Sequence, residues 1–342
     1  MVKITDVAAH AGVSPSTVSY ALSGKRPISQ ETRLRIEQSI RELGYRPHAG
    51  ARSLASSRAR VLALVLPLRK GMHLPVVMQF ATSVVTAARD YDHDVLLLTQ
   101  SEGEEGLVRV SGSAMADAFV IMDVELNDRR LPLLRTLDQP SVLIGYPADP
   151  TGLTCVDLDF QQAAEACVDH LAALGHRRVA LIGSHPEVYV RETGFARRVA
   201  TGFTAAADRH GLLSSIHPCV DTPVAARTLA ERLVREQPDL TGVVVHNEPI
   251  VHPLIDALTA LGLRIPQDIS VAAICPDEIA EPAATPITSV SIPTAQVGAR
   301  AVDLLMSKLQ GHEVPETTIL PTHLTPRATT APPPAPAPAP TL

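Results

Sequence analysis

The strongest constraint on the fold is an alternation, from residue 61 onward, of short apolar runs with longer helical stretches such as "FQQAAEACVDHLAALGH" and "TGFTAAADRHGLL". The apolar runs are rich in β-branched residues, and they are "VLALVLPL", "DVLLLTQ", "AFVIMDV", "PSVLIGY", "RRVALIG", "TGVVVHN" and "ISVAAIC". Buried strands that alternate with helices predict parallel sheets covered by helices on both faces. Because these strands are more than one flavodoxin-sized unit needs, we expect two lobes.

Residues 1–46 have a different pattern, which predicts three short helices. Thr5 is expected to cap the first helix, and Gly12 permits a tight turn after it. Ser14 is a suitable cap for the second helix, because Pro15 then falls at the first helical position, where its missing N–H costs nothing.

The second helix, "PSTVSYAL", is expected to point Val18 and Leu22 inward, and Ser29 and Gly44 are expected to begin and end the third. The third helix has apolar residues at helical spacing, namely Ile36, Ile40 and Leu43. Two short helices joined by a Gly-containing turn are typical of the helix-turn-helix, whose second helix stays exposed to enter a major groove. The alternative is an ordinary three-helix cap on an enzyme.

The charge distribution separates the two regions. Residues 1–60 carry ten Lys or Arg residues against four carboxylates, about +6, so the rest of the chain carries about −12. A basic head on an acidic body suggests a module that binds a polyanion, although a merely solvated basic face is the alternative.

Several classes of protein are disfavoured by what the sequence lacks. The four cysteines form no C-x-x-C pair, so neither a metal site nor a disulfide framework is expected. The chain has no G-x-S-x-G, H-E-x-x-H or P-loop motif, and no apolar run long enough to span a membrane. We therefore expect a cytoplasmic protein that is not an enzyme and uses no cofactor.

The residues "ITDVAAHAGVSPSTVSYALSGKRPISQETRLRIEQSIRELGYRPHAGARSLASSRARVLALVLP" closely resemble the LacI/GalR (lactose-repressor) family of bacterial transcription factors. The resemblance continues through "FQQAAEACVDHLAALGHRRVALIG" and "RIPQDISVAAI" and covers nearly all of the chain. It implies an all-α helix-turn-helix head on an α/β body that resembles periplasmic binding proteins. The implied domains are a head (1–46), a hinge helix (47–59), a two-lobed body (lobe 1 about 60–159 and 290–316, lobe 2 about 160–289 and 317–328) and a disordered Pro/Ala tail (329–342).

The resemblance implies DNA-contacting residues in the head. Pro15, Ser16 and Tyr20 occupy the positions of base-reading side chains, although Tyr20 could equally be a packing residue. The positions for phosphate contacts are held by Ser14, Thr17, Ser19, Ser29 and Thr32, and we add Thr5 at the start of the first helix. This division fits the rule that phosphate contacts position a protein on DNA and base contacts specify the sequence.

"HAGARSLAS" matches the hinge helix of the family, which folds on operator DNA. The resemblance implies that Leu54 wedges into the minor groove, and Arg52 beside it can reach phosphate. From the residues alone, an isolated large apolar side chain in a polar segment is either a small staple or a wedge.

The body is expected to bind a small-molecule effector between its lobes, but the match is uneven. Asn247 stands at a ligand-contacting position; in "FARRVATGF", Arg197 and Arg198 are candidates although Val199 holds the position of the family's Arg. Cys275 replaces a common sugar-binding Asp, with Asp277 two residues later. The few aromatic candidates for stacking on a sugar are Tyr146, Tyr189 and Phe195.

These departures favour an atypical effector. The hypothesis is a phosphorylated or acidic metabolite held by Arg69, Lys70 and Arg198, or no effector at all; each cleft residue could equally be a solvated loop residue. Cys275 is a small buried hydrophobe or, alternatively, a redox residue. His170 fits a helix face, where a structural role competes with metal binding.

The sequence therefore predicts a homodimeric regulator, acting as a repressor, whose partners are a pseudo-palindromic DNA operator and a small-molecule effector. Two alternatives stay open. One is a solute-binding or enzymatic α/β protein with a vestigial head, and the other is a DNA-binding regulator without an effector.

Overall fold

The computed structural model describes residues 2–23, 26–45, 59–99, 104–113 and 115–334. In these residues the chain forms a three-helix head and a body of two six-stranded sheets, as the predicted fold class requires. The predicted hinge helix, with Arg52 and Leu54, lies outside the described residues.

The head is built around one small core. Its helices are α1 (Ile4–Ala11), α2 (Pro15–Ser23) and α3 (Gln30–Leu43). The buried core side chains are Val7, Ala8, Ala11, Val18, Ile36 and Tyr45. Val18 points inward as predicted, but Leu22 is 42% exposed, so that prediction is wrong. In this last turn of α2 it is the neighbouring Ala21 that packs against the core, so Leu22 lies on a different side of the helix.

The helix ends of the head follow local sequence rules. The backbone N–H of Thr17 donates to Ser14 Oγ (3.2 Å), and that of Thr32 donates to Ser29 Oγ (3.3 Å), which confirms both caps. Gly12 and Gly44 end α1 and α3 in the left-handed conformation, with φ of 65° and 62°. The prediction that Thr5 caps α1 is wrong, because the helix begins at Ile4 and Lys3 is its N-cap residue.

The first lobe has a parallel sheet in the order β11-β5-β4-β3-β1-β2. Its strands are β1 (Val61–Val65), β2 (Asp94–Leu98), β3 (Ala118–Ile121), β4 (Ser141–Ile144), β5 (Cys155–Leu158) and β11 (Thr317–Leu320). Its helices are α4 (Leu74–Asp90), α5 (Glu104–Gly112), α6 (Leu131–Leu134) and α13 (Thr294–Leu309). They bury both faces of the sheet in two apolar cores.

The second lobe has a sheet in the order β12-β10-β9-β8-β6-β7, parallel except for β12. Its strands are β6 (Arg178–Gly183), β7 (Leu213–Pro218), β8 (Gly242–Val245), β9 (Ser270–Ile274), β10 (Thr288–Val290) and β12 (Leu324–Thr325). Its helices are α7 (Phe160–Ala173), α8 (Pro186–Val190), α9 (Gly194–Arg209), α10 (Pro223–Glu236), α11 (Val251–Ala260) and α12 (Asp277–Ala280), and a 3₁₀ turn covers Glu248–Ile250.

The chain passes between the two sheets after β5, after β10 and after β11. The assignment of residues 317–328 to the second lobe needs correction, because Thr317–Leu320 pairs with β5 at the edge of the first sheet. The predicted start of the disordered tail at residue 329 also needs correction. Thr329 is fully buried: its carbonyl accepts from the Val271 N–H (2.8 Å) and its hydroxyl donates to the Val271 carbonyl.

All seven predicted strands are present. Sequence reasoning missed five strands, namely β5, β7, β10, β11 and β12. Most of them are short. In addition, β5 carries Asp157, and β7 has alternating polar residues at a sheet edge. Such segments become strands through their neighbours in the sheet rather than through an apolar run of their own.

Candidate nucleic-acid interface and effector cleft

The outward face of α2 is small and polar. Ser14, Pro15 and Ser16 are exposed, and Thr17 and Ser19 are partly exposed. Ser14 Oγ lies 2.9 Å from Ser16 Oγ and 2.8 Å from Thr17 Oγ1, so the hydroxyls form one network at the start of the helix. This face can approach a groove closely, because no large side chain projects from its first turn.

The starts of α2 and α3 both present capped helix N-termini. Ser29 Oγ lies 2.8 Å from Thr32 Oγ1, which repeats the arrangement at Ser14 and Thr17. Helix N-termini attract anions because free backbone N–H groups and the helix dipole point outward there. These two sites are therefore suited to phosphate groups. Thr5, in the first turn of α1, is exposed at a third helix start.

Tyr20 is partly exposed and is not among the buried residues of the head core, which favours contact with DNA over packing. The Arg26 guanidinium carbon lies 5.1 Å from the centroid of the Tyr20 ring. A cation over an aromatic face holds the ring in place. Sequence reasoning missed Arg26, whose only signal was its position in the "GKRP" turn.

A cavity of about 140 Å³ lies between the two lobes. Its walls include residues at the carboxyl ends of the strands: Asp123 after β3, Gly145 after β4, Ser184 after β6 and His246 after β8. Ligands of open parallel sheets bind at this edge. The cavity is therefore the natural position for an effector that contacts both lobes.

The cavity has a large apolar wall and a cluster of rings. The apolar lining includes Met72, Val76, Val77, Phe80, Met122, Ile144 and Ile292. Phe160, Phe195 and His246 also line it, and the centroids of their rings are 5.6–5.7 Å apart. Of the three stacking candidates, only Phe195 is in the lining.

Several buried polar atoms around the cavity have no hydrogen-bond partner within the protein. They are Asp157 Oδ2, Arg191 Nε and Nη2, His73 Nδ1 and His246 Nδ1. Buried polar groups normally find partners, because leaving one unpaired costs about 1–3 kcal/mol. These atoms are therefore suited to contacts with a ligand.

Burial dominates the titration of the cavity groups. Desolvation raises the pKa of Asp157 to about 7 and that of Glu248 to about 7. Desolvation also lowers the pKa of His246 to about 4 and shifts that of His73 below its ordinary value. Near neutral pH both imidazoles are thus neutral, and the two carboxyl groups are readily protonated.

The basic residues proposed for an acidic effector do not line the cavity. Arg69 pairs with Asp123 (3.2 Å) and with Glu125. The side chain of Lys70 is exposed. Arg198 lies 3.2 Å from the ring centroid of Tyr146 and donates to the Tyr146 carbonyl at 2.7 Å. The grouping of Arg69, Lys70 and Arg198 around an anion is therefore wrong, because other groups of the protein already engage both guanidinium groups.

The remaining predicted effector residues are also mostly outside the lining. Asn247 lines the cavity, but its Nδ2 donates to the carbonyls of Gly183 (3.1 Å) and Cys219 (2.8 Å). Arg197 is exposed and pairs with Glu192 at 3.4 Å. Cys275 is fully buried in a lobe core, and burial raises the pKa of its thiol. Asp277 pairs with Arg327 at 3.1 Å, and Tyr146 lies beneath Arg198.

Arg191 is the arginine that lines the cavity, and sequence reasoning missed it. The family pattern places an Arg three residues before Gly-Phe, and the chain contains two Gly-Phe pairs. Measured from Gly202 the position holds Val199, but measured from Gly194 it holds Arg191. The signal was present, and the wrong Gly-Phe pair was chosen.

The segment that follows Arg191 joins the lobes. Arg191 Nη1 donates to the Lys70 carbonyl (2.9 Å), which lies in the first lobe. The backbone N–H of Leu126 donates to the Glu192 carbonyl (2.9 Å), and the Gly194 N–H donates to the Val124 carbonyl (3.0 Å). A ligand held by Arg191 is therefore positioned to act on the contact between the lobes.

Comparison with known proteins identifies relatives of this chain. A family model described as bacterial regulatory proteins, lacI family, matches residues 3–48, and one described as periplasmic binding protein-like domain matches residues 168–330. The HTH-type transcriptional regulator AglR of Rhizobium meliloti (strain 1021) is 30% identical, over 97% of this chain and 95% of that protein. The chain belongs to the lacI family of bacterial regulatory proteins.

Two solved structures show the same architecture. The lac repressor dimer bound to operator and the anti-inducer ONPF has a TM-score of 0.82 at 22% identity, covering 96% of this chain and 99% of that one. The CelR–cellobiose complex has a TM-score of 0.67 at 25% identity, covering 96% and 100%. This lacI-family protein is a DNA-binding transcriptional regulator with an effector-binding body.

The relatives are transcriptional regulators rather than enzymes. Among the residues that the structure describes, no helix is both long and apolar enough to cross a membrane. Within the same part of the chain, no cluster of His, Cys, Asp and Glu side chains has the arrangement of a metal site.

Proposed function

We propose that this lacI-family regulator is a homodimeric repressor that reads a pseudo-palindromic operator and responds to a small molecule in the interlobe cavity. The observation that carries the proposal is the polar exposed face of α2, flanked by two capped helix N-termini. A two-fold symmetric dimer places two such heads on related half-sites. The solved lac repressor, a dimer bound to operator, has the same fold.

In the head, base reading is assigned to Pro15, Ser16 and Tyr20. The proposed phosphate contacts are made by Thr5, Ser14, Thr17, Ser19, Ser29 and Thr32. The assignments of Leu54 as a minor-groove wedge and Arg52 as a phosphate contact rest on the resemblance of "HAGARSLAS" to the family's hinge.

The effector acts by linkage between two sites. A molecule in the cavity contacts both lobes, so it binds one lobe arrangement more tightly than another. Only this difference in affinity can shift the balance between DNA-binding and released states. We assign this role to Arg191, Asp157, Phe160 and Phe195, because these residues line the cavity and Arg69, Lys70 and Arg198 do not.

The proposed location is the cytoplasm, because a regulator of this kind works on chromosomal DNA. We assign the protein no enzymatic activity, since its relatives are transcriptional regulators.

The test is an in vitro selection of genomic fragments with the purified full-length protein at near-physiological salt. We expect enrichment of a short pseudo-palindrome with a central C-G step, at which the Leu54 pair would insert. Affinity for the enriched site should fall about tenfold or more over a few-fold rise in salt, because several phosphates are engaged. No enriched motif, with and without a metabolite extract, would overturn the proposal.

A further inference from the structure

The cavity lining is acidic. It contains four carboxylates and one guanidinium, those of Asp123, Asp157, Asp221, Glu248 and Arg191. Asp123 forms an ion pair with Arg69 at 3.2 Å, and Asp221 lies 3.7 Å from the ring of His185. Burial raises the pKa of Asp157 and that of Glu248 to about 7, so both carboxyl groups are readily protonated without a cationic partner, and a bound ammonium group would favour their ionised forms.

Asp157 is the carboxylate with a free acceptor. It is 5% exposed; its Oδ1 accepts from the backbone N–H of Leu158 (2.9 Å), and its Oδ2 is buried without a partner. The nearby Arg198 guanidinium lies over Tyr146 and donates to the carbonyl there. A buried carboxylate oxygen is costly unless a donor reaches it, and a charged donor stabilises it most.

Two phenyl rings and one neutral imidazole also line the cavity. Phe160 begins the helix that follows Asp157, and it packs against Phe195 and His246. The low pKa of His246, about 4, keeps its ring uncharged at neutral pH, so it does not repel a cation. Aromatic faces beside a carboxylate attract organic cations through the ring quadrupole.

The size of the cavity limits the ligand. Its volume is about 140 Å³, and an apolar cavity of roughly 150 Å³ takes up a molecule the size of benzene. The first-lobe wall of Met72, Val76, Val77 and Phe80 offers no hydrogen bonds from its side chains to the hydroxyls of a sugar. A disaccharide would lose its hydration against this wall.

We propose that the effector is a compact organic cation, with a body of about one ring against the apolar wall and a protonated amine on Asp157 Oδ2. The inference rests on the proposed effector role of the cavity. Arg191 also lines the cavity, where its charge favours the ionised form of Asp123 and its Nη1 donates to the Lys70 carbonyl (2.9 Å).

Three probes of one shape test the charge preference: benzylamine, benzyl alcohol and benzoate, with glucose and cellobiose as sugar controls. Binding to the purified full-length protein is measured by titration calorimetry and by the shift of the unfolding temperature. We expect benzylamine to bind about tenfold or more tightly than benzyl alcohol, because a charged donor is the better partner for a buried carboxylate. Benzoate should bind more weakly than the alcohol.

Asp157→Asn removes the charge and keeps the shape, so it should reduce the amine-to-alcohol preference to about one. Asp208→Asn is the matched control, because Asp208 is an exposed carboxylate on α9 and should leave the preference unchanged. If Asp157→Asn does not fold, the comparison of the three probes on the unchanged protein still decides the matter.

Equal or tighter binding of benzoate, the alcohol or a sugar, or no binding of benzylamine, overturns the inference. The operator selection is run on the same preparation. An enriched motif without amine binding would support the regulatory function and contradict only the proposed cationic effector. Amine binding without an enriched motif supports the ligand class and contradicts the regulatory role.

Discussion

Replacing Arg198 by Ala should weaken the attachment of the two lobes. Arg198 lies on α9 in the second lobe, and its guanidinium carbon is 3.2 Å from the ring centroid of Tyr146 in the first lobe. Its Nη2 also donates to the Tyr146 carbonyl at 2.7 Å. Arg197, the preceding residue, is exposed and donates to the Tyr189 carbonyl and to Glu192, both at 3.4 Å and within its own lobe.

The magnitude follows from these contacts. A hydrogen bond from a charged donor contributes about 1.5–3 kcal/mol, and a partly desolvated cation–π contact about 1–2 kcal/mol. Arg198 Nη1 is buried without a hydrogen-bond partner, and its removal recovers about 1–3 kcal/mol. The free energy of unfolding should therefore fall by about 2 kcal/mol in Arg198→Ala. In Arg197→Ala it should change by no more than about 0.5 kcal/mol, as for an exposed ion pair.

Urea unfolding followed by far-ultraviolet circular dichroism measures both values at one pH. The neighbouring arginine is a matched control, because both variants lose the same side chain from the same helix. Equal losses in the two variants, or no loss in Arg198→Ala, would refute the assignment of Arg198 to the lobe contact.

Three further predictions concern close packing, titration and DNA. Gly202→Ala should lower the free energy of unfolding by about 1–3 kcal/mol despite the better helix propensity of Ala, because a Cβ would overlap the Gln161 carbonyl. Gly112→Ala, whose Cβ would meet open space, should be neutral or stabilising in the same urea assay. The folded-state pKa of Asp157, about 7, lies above its ordinary value of 3.8, so the folded protein binds the extra proton and its stability declines as pH rises from about 4 to about 7. Asp157→Asn should remove this part of the decline. The prediction would be contradicted if the free energy of unfolding of the variant and that of the unchanged protein changed in parallel between about pH 5 and about pH 8. Leu54→Ala should weaken binding to the selected operator far more than to scrambled DNA in fluorescence anisotropy, and an equal loss on both DNAs would exclude the wedge role.

Local features of the fold were readable from the sequence. Ser14 and Ser29 begin helices and Gly12 and Gly44 end them, as predicted, because a cap depends on residues three or four positions away in the chain. Long apolar runs were read correctly as strands for a similar reason: a segment that is apolar on both sides has to be covered on both sides. The prediction for Leu22 was wrong because Val18 and Ala21 face the core at helical spacing, and the sequence alone did not show whether Ala21 or Leu22 would do so.

Only some features of the cavity could be predicted from the sequence. Its position between two lobes followed from the resemblance, but its lining did not, because it is assembled from the ends of strands that are distant in the chain. Asp157 was missed together with the short strand that carries it. No sequence pattern indicated that the ring of Phe160 lies in the cavity wall.

The two Gly-Phe pairs show where the boundary between sequence and structure lies. The sequence by itself determined that this chain has a helix-turn-helix head, a parallel α/β body and an arginine spaced for a ligand. Measured from Gly194 the spacing falls on Arg191, and measured from Gly202 it falls on Val199; only the tertiary structure shows that Arg191 lines the cavity and that Arg198 lies against Tyr146. The physical reason is that helix capping and strand burial are decided within a few residues, whereas a side chain's partner across two lobes is decided by how the sheets pack.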